Sequence, residues 1–192
     1  MTFSRRRRIV VLLDCGDTLA DEGTEVKDER GATLRAEMIP GAERALRRLH
    51  GRGHVLALVA DGFVDTFRNI LAPRGLWELF SARSISEEVG IDKPASAMFT
   101  RALEALGLGS EDYWRVVMVG NNLERDIAGA RRLGLRTIWV TWAPRRRKTI
   151  EHPDERPDYT IAGPSELPRL IARLEREAAS AERAERKKRS RL

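Results

Sequence analysis

The first strong apolar run of the chain, residues 9–13, contains five consecutive isoleucine, valine and leucine residues. A run without polar alternation is typical of a central strand covered on both faces, and parallel sheets are the usual place for one. The run ends abruptly in Asp14-Cys15-Gly16-Asp17-Thr18-Leu19. Ligands of open α/β sheets bind beyond the carboxyl ends of the strands, so Asp14 stands where chemistry normally occurs, although Asp and Gly are also common turn formers.

Later apolar runs repeat this pattern and are linked by segments with helical periodicity. Core strands are predicted at 55–59, 116–119 and 137–140, with shorter strands at 82–86 and 159–161. Helices are predicted near 40–49, 64–71, 95–106 and 123–133, and from about 164 onwards. Strands that alternate with helices of this length predict a doubly wound, Rossmann-like α/β fold, with a mostly parallel sheet and helices on both faces.

Length and composition limit the class of protein. The 192 residues, 42% hydrophobic and 33% charged, suit one globular domain, predicted at 1–178, followed by a charged helical tail at 179–192. No apolar stretch reaches the length of a membrane span, and the run that follows Arg5 to Arg8 is too short for a signal peptide. The single Cys15 excludes an internal disulfide. We therefore expect a cytoplasmic protein with no membrane partner.

Basic clusters at 5–8, 145–148 and 186–189 account for much of the net charge of +6 and the pI near 10.1. Such clusters attract any polyanion. Nucleic-acid binding is nevertheless disfavoured, because no aromatic residues are interleaved with the arginines and no nucleic-acid motif is recognisable. Solvated, arginine-rich surface is the preferred interpretation.

Three polar motifs lie at or between the predicted strands. Asp14-x-x-x-Thr18-Leu19 ends the first strand, Lys93-Pro94 lies about eighty residues on, and Gly120-Asn121-Asn122 with Asp126 follows the strand at 116–119. Together, over about 9–167, they resemble the motifs of the haloacid dehalogenase-like (HAD) hydrolases.

Residues 20–37 lie where members of this family insert a cap domain when they have one. These residues are mostly polar, and about eighteen are too few for a domain. The resemblance therefore implies a capless HAD-like core, with a loop or small hairpin as a short flap beside an open site.

The resemblance implies two catalytic residues. Asp14 matches the family's attacking aspartate, and Lys93 matches the lysine that holds aspartate and phosphate together. Pro94 keeps Lys93 extended, which fixes the direction of the lysine. A hydrolase that acts through an aspartate nucleophile on a small-molecule phosphate ester is the preferred function.

The resemblance also implies positions that would hold the substrate. Thr18 is expected to hold the loop after the first strand by hydrogen bonds. The Ser or Thr that follows the family's second strand is replaced by Ala60, but the main-chain N–H groups of Asp61 and Gly62 could still face a phosphate.

Magnesium is the cofactor that the resemblance implies, and two of the matching positions are altered. The family's ligands correspond to Asp14, the main-chain carbonyl of Gly16 and Asn121, which stands where the family has an aspartate. Asp126 matches the second acid of that motif, as an outer-shell or substitute ligand. An amide oxygen brings no charge and magnesium prefers carboxylates, so weak binding is expected.

The proton donor of the family's phosphatases is also missing, because Gly16 occupies its position. Asp17 is adjacent and replaces it only if the loop shifts. These departures keep two alternatives open. One is a catalytically weakened HAD-like domain that serves as a binding or assembly module. The other is a metal-independent dehalogenase, although that branch has an aromatic residue, a serine and a full cap that are not present here.

Overall fold

The structure, a computed structural model, describes the main chain of residues 8–189 and the side chains of residues 8–180. The strands of this part are β1 (Val10–Leu13), β2 (Ala20–Lys27), β3 (Thr33–Met38), β4 (Val55–Ala60), β5 (Phe80–Ile85), β6 (Val116–Gly120), β7 (Arg136–Val140) and β8 (Tyr159–Ile161). The α-helices are α1 (Ala42–Gly51), α2 (Val64–Leu71), α3 (Ser86–Val89), α4 (Ser96–Ala105), α5 (Ala128–Arg132) and α6 (Leu167–Arg189).

Six strands form one sheet in the order β5-β4-β1-β6-β7-β8, and every neighbouring pair is parallel. The central strand is β1, and its last residue, Leu13, lies between Leu58 of β4 and Val119 of β6. The carboxyl ends of these three strands therefore meet at one edge. The predicted parallel α/β fold is confirmed.

Both faces of the sheet are covered by helices, as the absence of alternation in β1 predicts. Val11 and Leu13 belong to an apolar cluster with residues of α1, α2 and α6. Val10 and Leu12 belong to a second cluster with residues of α4 and α5. Because successive side chains of a strand point to opposite faces, these two clusters are the two layers of a doubly wound core.

The segment predicted as a loop or hairpin flap is an antiparallel hairpin, made of β2 and β3. It packs beside α2, where the Thr33 N–H donates to the Thr66 hydroxyl at 2.8 Å and the Asn69 amide donates to the Thr33 carbonyl at 3.0 Å. The hairpin therefore stands next to the carboxyl edge of the sheet.

The helix predicted at 123–133 is interrupted. It opens with a π-helical turn, Leu123–Ile127, before α5 begins. Asn122 caps this turn, since its Oδ1 accepts hydrogen bonds from the N–H groups of Glu124 and Arg125, both at 3.0 Å. Turns of this kind are rare and are frequently found at functional sites.

Two smaller differences concern the fifth strand and the segment after it. The strand predicted at 82–86 begins earlier and ends at Ile85. The segment before Lys93, for which no helix is predicted, begins with the short helix α3.

Parts of the basic clusters lie outside the described residues. These are residues 5–7 and the side chains of 186–189. The cluster at 145–148 is described, and three of its arginines are ion-paired rather than free in solvent. Because α6 continues across residue 178, the boundary between a domain and a charged tail stays a prediction. None of the helices in the described part is long and apolar enough to cross a membrane.

Candidate active site

Asp14 and Lys93 meet at the carboxyl edge of the sheet. The Asp14 N–H donates to the Val119 carbonyl at 3.0 Å, which extends the pairing of β1 and β6 by one residue. The Lys93 Nζ lies 2.9 Å from Asp14 Oδ1, 2.7 Å from Asp126 Oδ1 and 2.9 Å from the Val59 carbonyl oxygen. Only 3% of Lys93 is exposed, so its charge is compensated by these partners rather than by water.

The environment keeps Lys93 protonated. Burial alone would lower the pKa of Lys93, but the carboxylates of Asp126, Asp14 and Asp61 outweigh it and raise that pKa. Burial raises the pKa of Asp126 to about 6, and Asp14 adds to the increase while Lys93 opposes it. Lys93 therefore carries a fixed positive charge against Asp14.

The second oxygen of Asp14 is held by Thr18, whose hydroxyl donates to Asp14 Oδ2 at 2.7 Å. Asn121 supports this contact, since its Nδ2 donates to Thr18 Oγ1 at 3.2 Å and also to the Gly16 carbonyl. The Trp139 indole N–H fixes the main chain of Asn121 by donating to its carbonyl at 2.9 Å. Both oxygens of Asp14 are thus oriented by the protein.

The groups expected to hold magnesium are adjacent. The Asn121 side chain contacts the Gly16 carbonyl and Thr18, which is bonded to Asp14. These oxygen-bearing groups fit magnesium in type, but Asp14 is the one carboxylate among the three. Asp126 also faces the site, yet both of its oxygens accept hydrogen bonds, from Lys93 and from the Asn122 N–H at 2.9 Å. In the described part of the chain, no three His, Cys, Asp or Glu side chains form a metal cluster.

The positions expected to hold a phosphate are arranged differently. Ala60 is buried in the core. The Gly62 N–H donates to the Ser86 hydroxyl at 2.9 Å, so it is engaged with the protein rather than free to face a phosphate. The carboxylate of Asp61 accepts from the Lys93 N–H at 2.9 Å and from Arg125 at 3.1 Å. Asp61 therefore fixes the main chain of Lys93, a contact that the sequence did not indicate.

Asp17 points away from the place where a proton donor would be needed. It is fully buried and adopts a left-handed conformation, with φ of 53°. Its carboxylate accepts from Arg145 Nε at 2.9 Å, from Arg146 Nε at 2.7 Å and from the Glu22 N–H at 3.2 Å. Its hydrogen-bonding capacity is taken up by these groups, so Asp17 does not replace the missing acid in this arrangement.

Cys15 follows Asp14 directly but does not offer a nucleophile. The side chain is fully buried. Burial raises the pKa of the thiol well above its ordinary value, and the negative charges of Asp14 and Glu22 add to the increase. Because the thiolate is the reactive form, this thiol is inert.

A cavity of about 410 Å³ opens above Asp14 and Lys93. The hairpin contributes Glu22 to its wall, and the loop between β7 and β8 contributes Arg146. The pKa of Glu22 is raised chiefly by its partial burial, with Asp17, Asp14 and Glu25 adding to the effect and Arg146 opposing it. The sequence prediction missed both residues, because neither belongs to a motif.

The fold agrees with comparisons to known proteins. The family model for haloacid dehalogenase-like hydrolases matches residues 6–134. The chain is 39% identical over 127 residues to phosphoserine phosphatase from Thermus thermophilus, which covers 66% of this chain and 48% of that protein. It is 31% identical over 127 residues to (S)-2-haloacid dehalogenase 2 from a Pseudomonas species, which covers 66% of this chain and 52% of that protein. The chain thus spans about half of the length of the curated relatives it matches.

A solved structure of similar size shares the fold. The HAD phosphatase from Thermococcus onnurineus aligns with a TM-score of 0.67 over 85% of this chain and 97% of that one, at 18% sequence identity. The segment matched by the family model contains Asp14, Lys93 and Asp126, which are the residues that meet at the edge of the sheet. The chain therefore belongs to the haloacid dehalogenase-like hydrolases.

Proposed function

We propose that this protein is a hydrolase in which Asp14 attacks the phosphorus of a small phosphate ester. The observation that carries the proposal is the buried Lys93 ammonium, which bonds to both Asp14 and Asp126 at the floor of the cavity. The relationship to a phosphatase supports the substrate class.

The contacts of Asp14 suit a nucleophile. Lys93 and Thr18 each hold one carboxylate oxygen, so the group is oriented before a substrate arrives. Asp14 is 8% exposed and lines the cavity, which leaves it accessible to a bound ester. In the proposed reaction Asp14 displaces the alcohol, and water then releases phosphate from the aspartyl group.

The charge of the transferred group requires compensation, and Lys93 supplies part of it. Magnesium, when bound by Asp14, the Gly16 carbonyl and Asn121, would neutralise further charge on the phosphate oxygens. We expect weak affinity, because this set of ligands brings one negative charge.

A panel of small phosphate esters, assayed for phosphate release with and without magnesium, tests the proposal. Asp14→Asn keeps the shape of the side chain and removes the nucleophile, so activity should fall to background. Asp154→Asn is the matched control, because Asp154 pairs with Arg132 at a surface away from these contacts and its loss should leave the rate unchanged. Activity that survives in Asp14→Asn would exclude Asp14 as the nucleophile.

Attack of Asp14 on carbon is the second candidate, as in a dehalogenase. Asn121 favours it by placing an uncharged amide at the metal position, and the relationship to a haloacid dehalogenase agrees. Release of chloride from 2-chloropropionate in the presence of a chelator would establish this reaction. If neither assay gives turnover that depends on Asp14, a binding or assembly role replaces both.

A further inference from the structure

Displacement of an alcohol from phosphorus requires a proton for the leaving oxygen, and the residues nearest to Asp14 in sequence do not provide one. Gly16 has no side chain. The carboxylate of Asp17 is bonded to two arginines and to the Glu22 N–H. A donor must therefore come from elsewhere in the fold.

Glu22 of the hairpin fills the space that a side chain at position 16 would occupy. A Cβ built on Gly16 would lie 2.9 Å from Glu22 Cδ and 3.1 Å from Cγ, and it would overlap Oε1. Gly16 itself does not have a positive φ, so its main chain could carry a side chain. The three atoms nearest to such a Cβ all belong to the Glu22 side chain, which stands beside the loop that carries Asp14.

The position of Glu22 is fixed at both ends. Its main-chain N–H donates to Asp17 Oδ1 at 3.2 Å, and its Oε2 accepts from Arg146 Nη2. Arg146 also binds Asp17 through Nε at 2.7 Å. Asp17 and Arg146 thus hold Glu22 in the wall of the cavity with Oε1 toward Gly16, and such preorganisation is what a catalytic group requires.

We propose that Glu22 transfers the proton in both steps of the reaction. This proposal rests on the proposed function of Asp14. As Asp14 Oδ bonds to phosphorus, the bond from phosphorus to the ester oxygen breaks and that oxygen takes the proton of the Glu22 carboxyl group. In the second step the Glu22 carboxylate accepts a proton from the attacking water, the bond from phosphorus to Asp14 breaks, and phosphate leaves. Glu22 and Asp14 return to their initial states.

The first test compares two substrates of nearly the same shape, p-nitrophenyl phosphate and phenyl phosphate. The nitrophenolate leaves readily without a proton, whereas the phenolate does not. Glu22→Gln should slow phenyl phosphate by about a hundredfold, in the range of general acid catalysis, and p-nitrophenyl phosphate by less than about tenfold. Glu25→Gln is the matched control, because Glu25 lies on the same hairpin and cavity but not beside Gly16, and it should keep the wild-type ratio of the two rates.

A second test moves the carboxyl group to position 16. Gly16→Asp alone should be impaired, because the new side chain collides with Glu22. Gly16→Asp combined with Glu22→Ala removes the collision and should hydrolyse phenyl phosphate at least about tenfold faster than Glu22→Ala alone.

The outcomes separate the two proposals. The proposed function is contradicted if the wild type hydrolyses none of the esters, or if hydrolysis persists in Asp14→Asn. Hydrolysis that depends on Asp14, but with both esters slowed equally by Glu22→Gln, contradicts the role of Glu22 alone, since a purely structural residue would affect both leaving groups alike. The comparison of the two esters in Glu22→Gln therefore tests the role of Glu22 even if the Gly16→Asp variants fail to fold.

Discussion

The candidate site has two halves that are built in different ways. The inner half consists of Asp14, Lys93 and Asp126, and the outer half consists of Asp17, Glu22, Arg145 and Arg146. The inner half is buried and set by the register of parallel strands. The outer half joins a hairpin to a distant loop through arginine pairs, and Arg145 is 39% exposed.

The two halves are held in place by different interactions. In the inner half the buried ammonium of Lys93 compensates two carboxylates, of which Asp126 is fully buried and Asp14 is exposed only toward the cavity, so each member depends on the others. In the outer half several guanidinium and main-chain N–H groups donate hydrogen bonds to the carboxylates, and solvent screens part of the charge of these groups. Substitutions should therefore lower the free energy of unfolding most in the inner half and less at positions nearer to solvent.

Lys93→Met should have the largest effect. It leaves Asp14 and Asp126 facing each other without their buried cation, and breaking a buried pair typically costs about 3–5 kcal/mol of unfolding free energy. Chemical denaturation measures this loss, and hydrolysis should disappear with it. Lys27→Met is the control, because Lys27 is an exposed lysine of the hairpin and should change the stability by less than about 0.5 kcal/mol. Equal losses in the two variants would refute the distinction between the halves.

Glu155→Gln should weaken the loop that carries Arg145 and Arg146. The carboxylate of Glu155 is buried, accepts from Arg147 at 2.9 and 2.6 Å, and also accepts from the Glu151 N–H at 2.8 Å. We expect a loss of about 1–3 kcal/mol at neutral pH. Glu151→Gln, which removes an exposed partner of Arg147 at 3.5 Å, should have a smaller effect.

The difference in stability between the wild type and Glu155→Gln should depend on pH. Its pH dependence follows from the pKa of Glu155, which the hydrogen bonds from Arg147 lower from about 4.5 to about 2. A carboxyl group with a lowered folded-state pKa stabilises the protein above its ordinary pKa and loses that contribution as pH falls. The stability gap between wild type and Glu155→Gln should therefore shrink from pH 4.5 toward pH 2. A gap that stays constant over this interval would show that the charge of Glu155 does not contribute.

Asn121→Asp should have the smallest net effect when magnesium is present. Without magnesium it replaces the N–H donor to the Gly16 carbonyl and to Thr18 by a buried carboxylate, at a cost of about 1–3 kcal/mol. With magnesium the added charge should strengthen binding and recover the loss. Thermal unfolding with and without magnesium measures this. Asn122→Asp is the control, because it adds the same charge one residue away and Asp caps the turn as well as Asn does. If magnesium raised the Tm of Asn122→Asp as much as that of Asn121→Asp, position 121 would not be the metal-binding position.

The inner half could be predicted from the sequence in two steps. The apolar run before Asp14 places that carboxylate at the carboxyl edge of a parallel sheet. The resemblance to the HAD motifs, rather than any periodicity, indicated that Lys93 and Asp126 would join it. The π-helical turn that begins at Leu123 could not be predicted, because it depends on hydrogen bonds that the side chains of Asn122 and Asp126 accept from nearby main-chain N–H groups, and no periodicity encodes them.

The outer half escaped prediction for a different reason. Glu22 and Arg146 are 124 residues apart in the chain, and each lies in a polar segment without a motif. Asp17 is adjacent to Gly16 and would supply the acid only if the loop shifted, and its left-handed conformation turns the carboxylate to the arginines.

The turn of the hairpin that carries Glu22 is a place where the length of the chain can change. The turn is closed by Asp28, whose Oδ1 accepts from the N–H groups of Arg30 at 3.0 Å and Ala32 at 2.8 Å. The register of the central sheet is set elsewhere, between β1, β4 and β6, so residues added to this turn lengthen the wall of the cavity without shifting Asp14. Residues added at this one surface turn would therefore change which molecules the cavity admits while Asp14 and Lys93 keep their contacts.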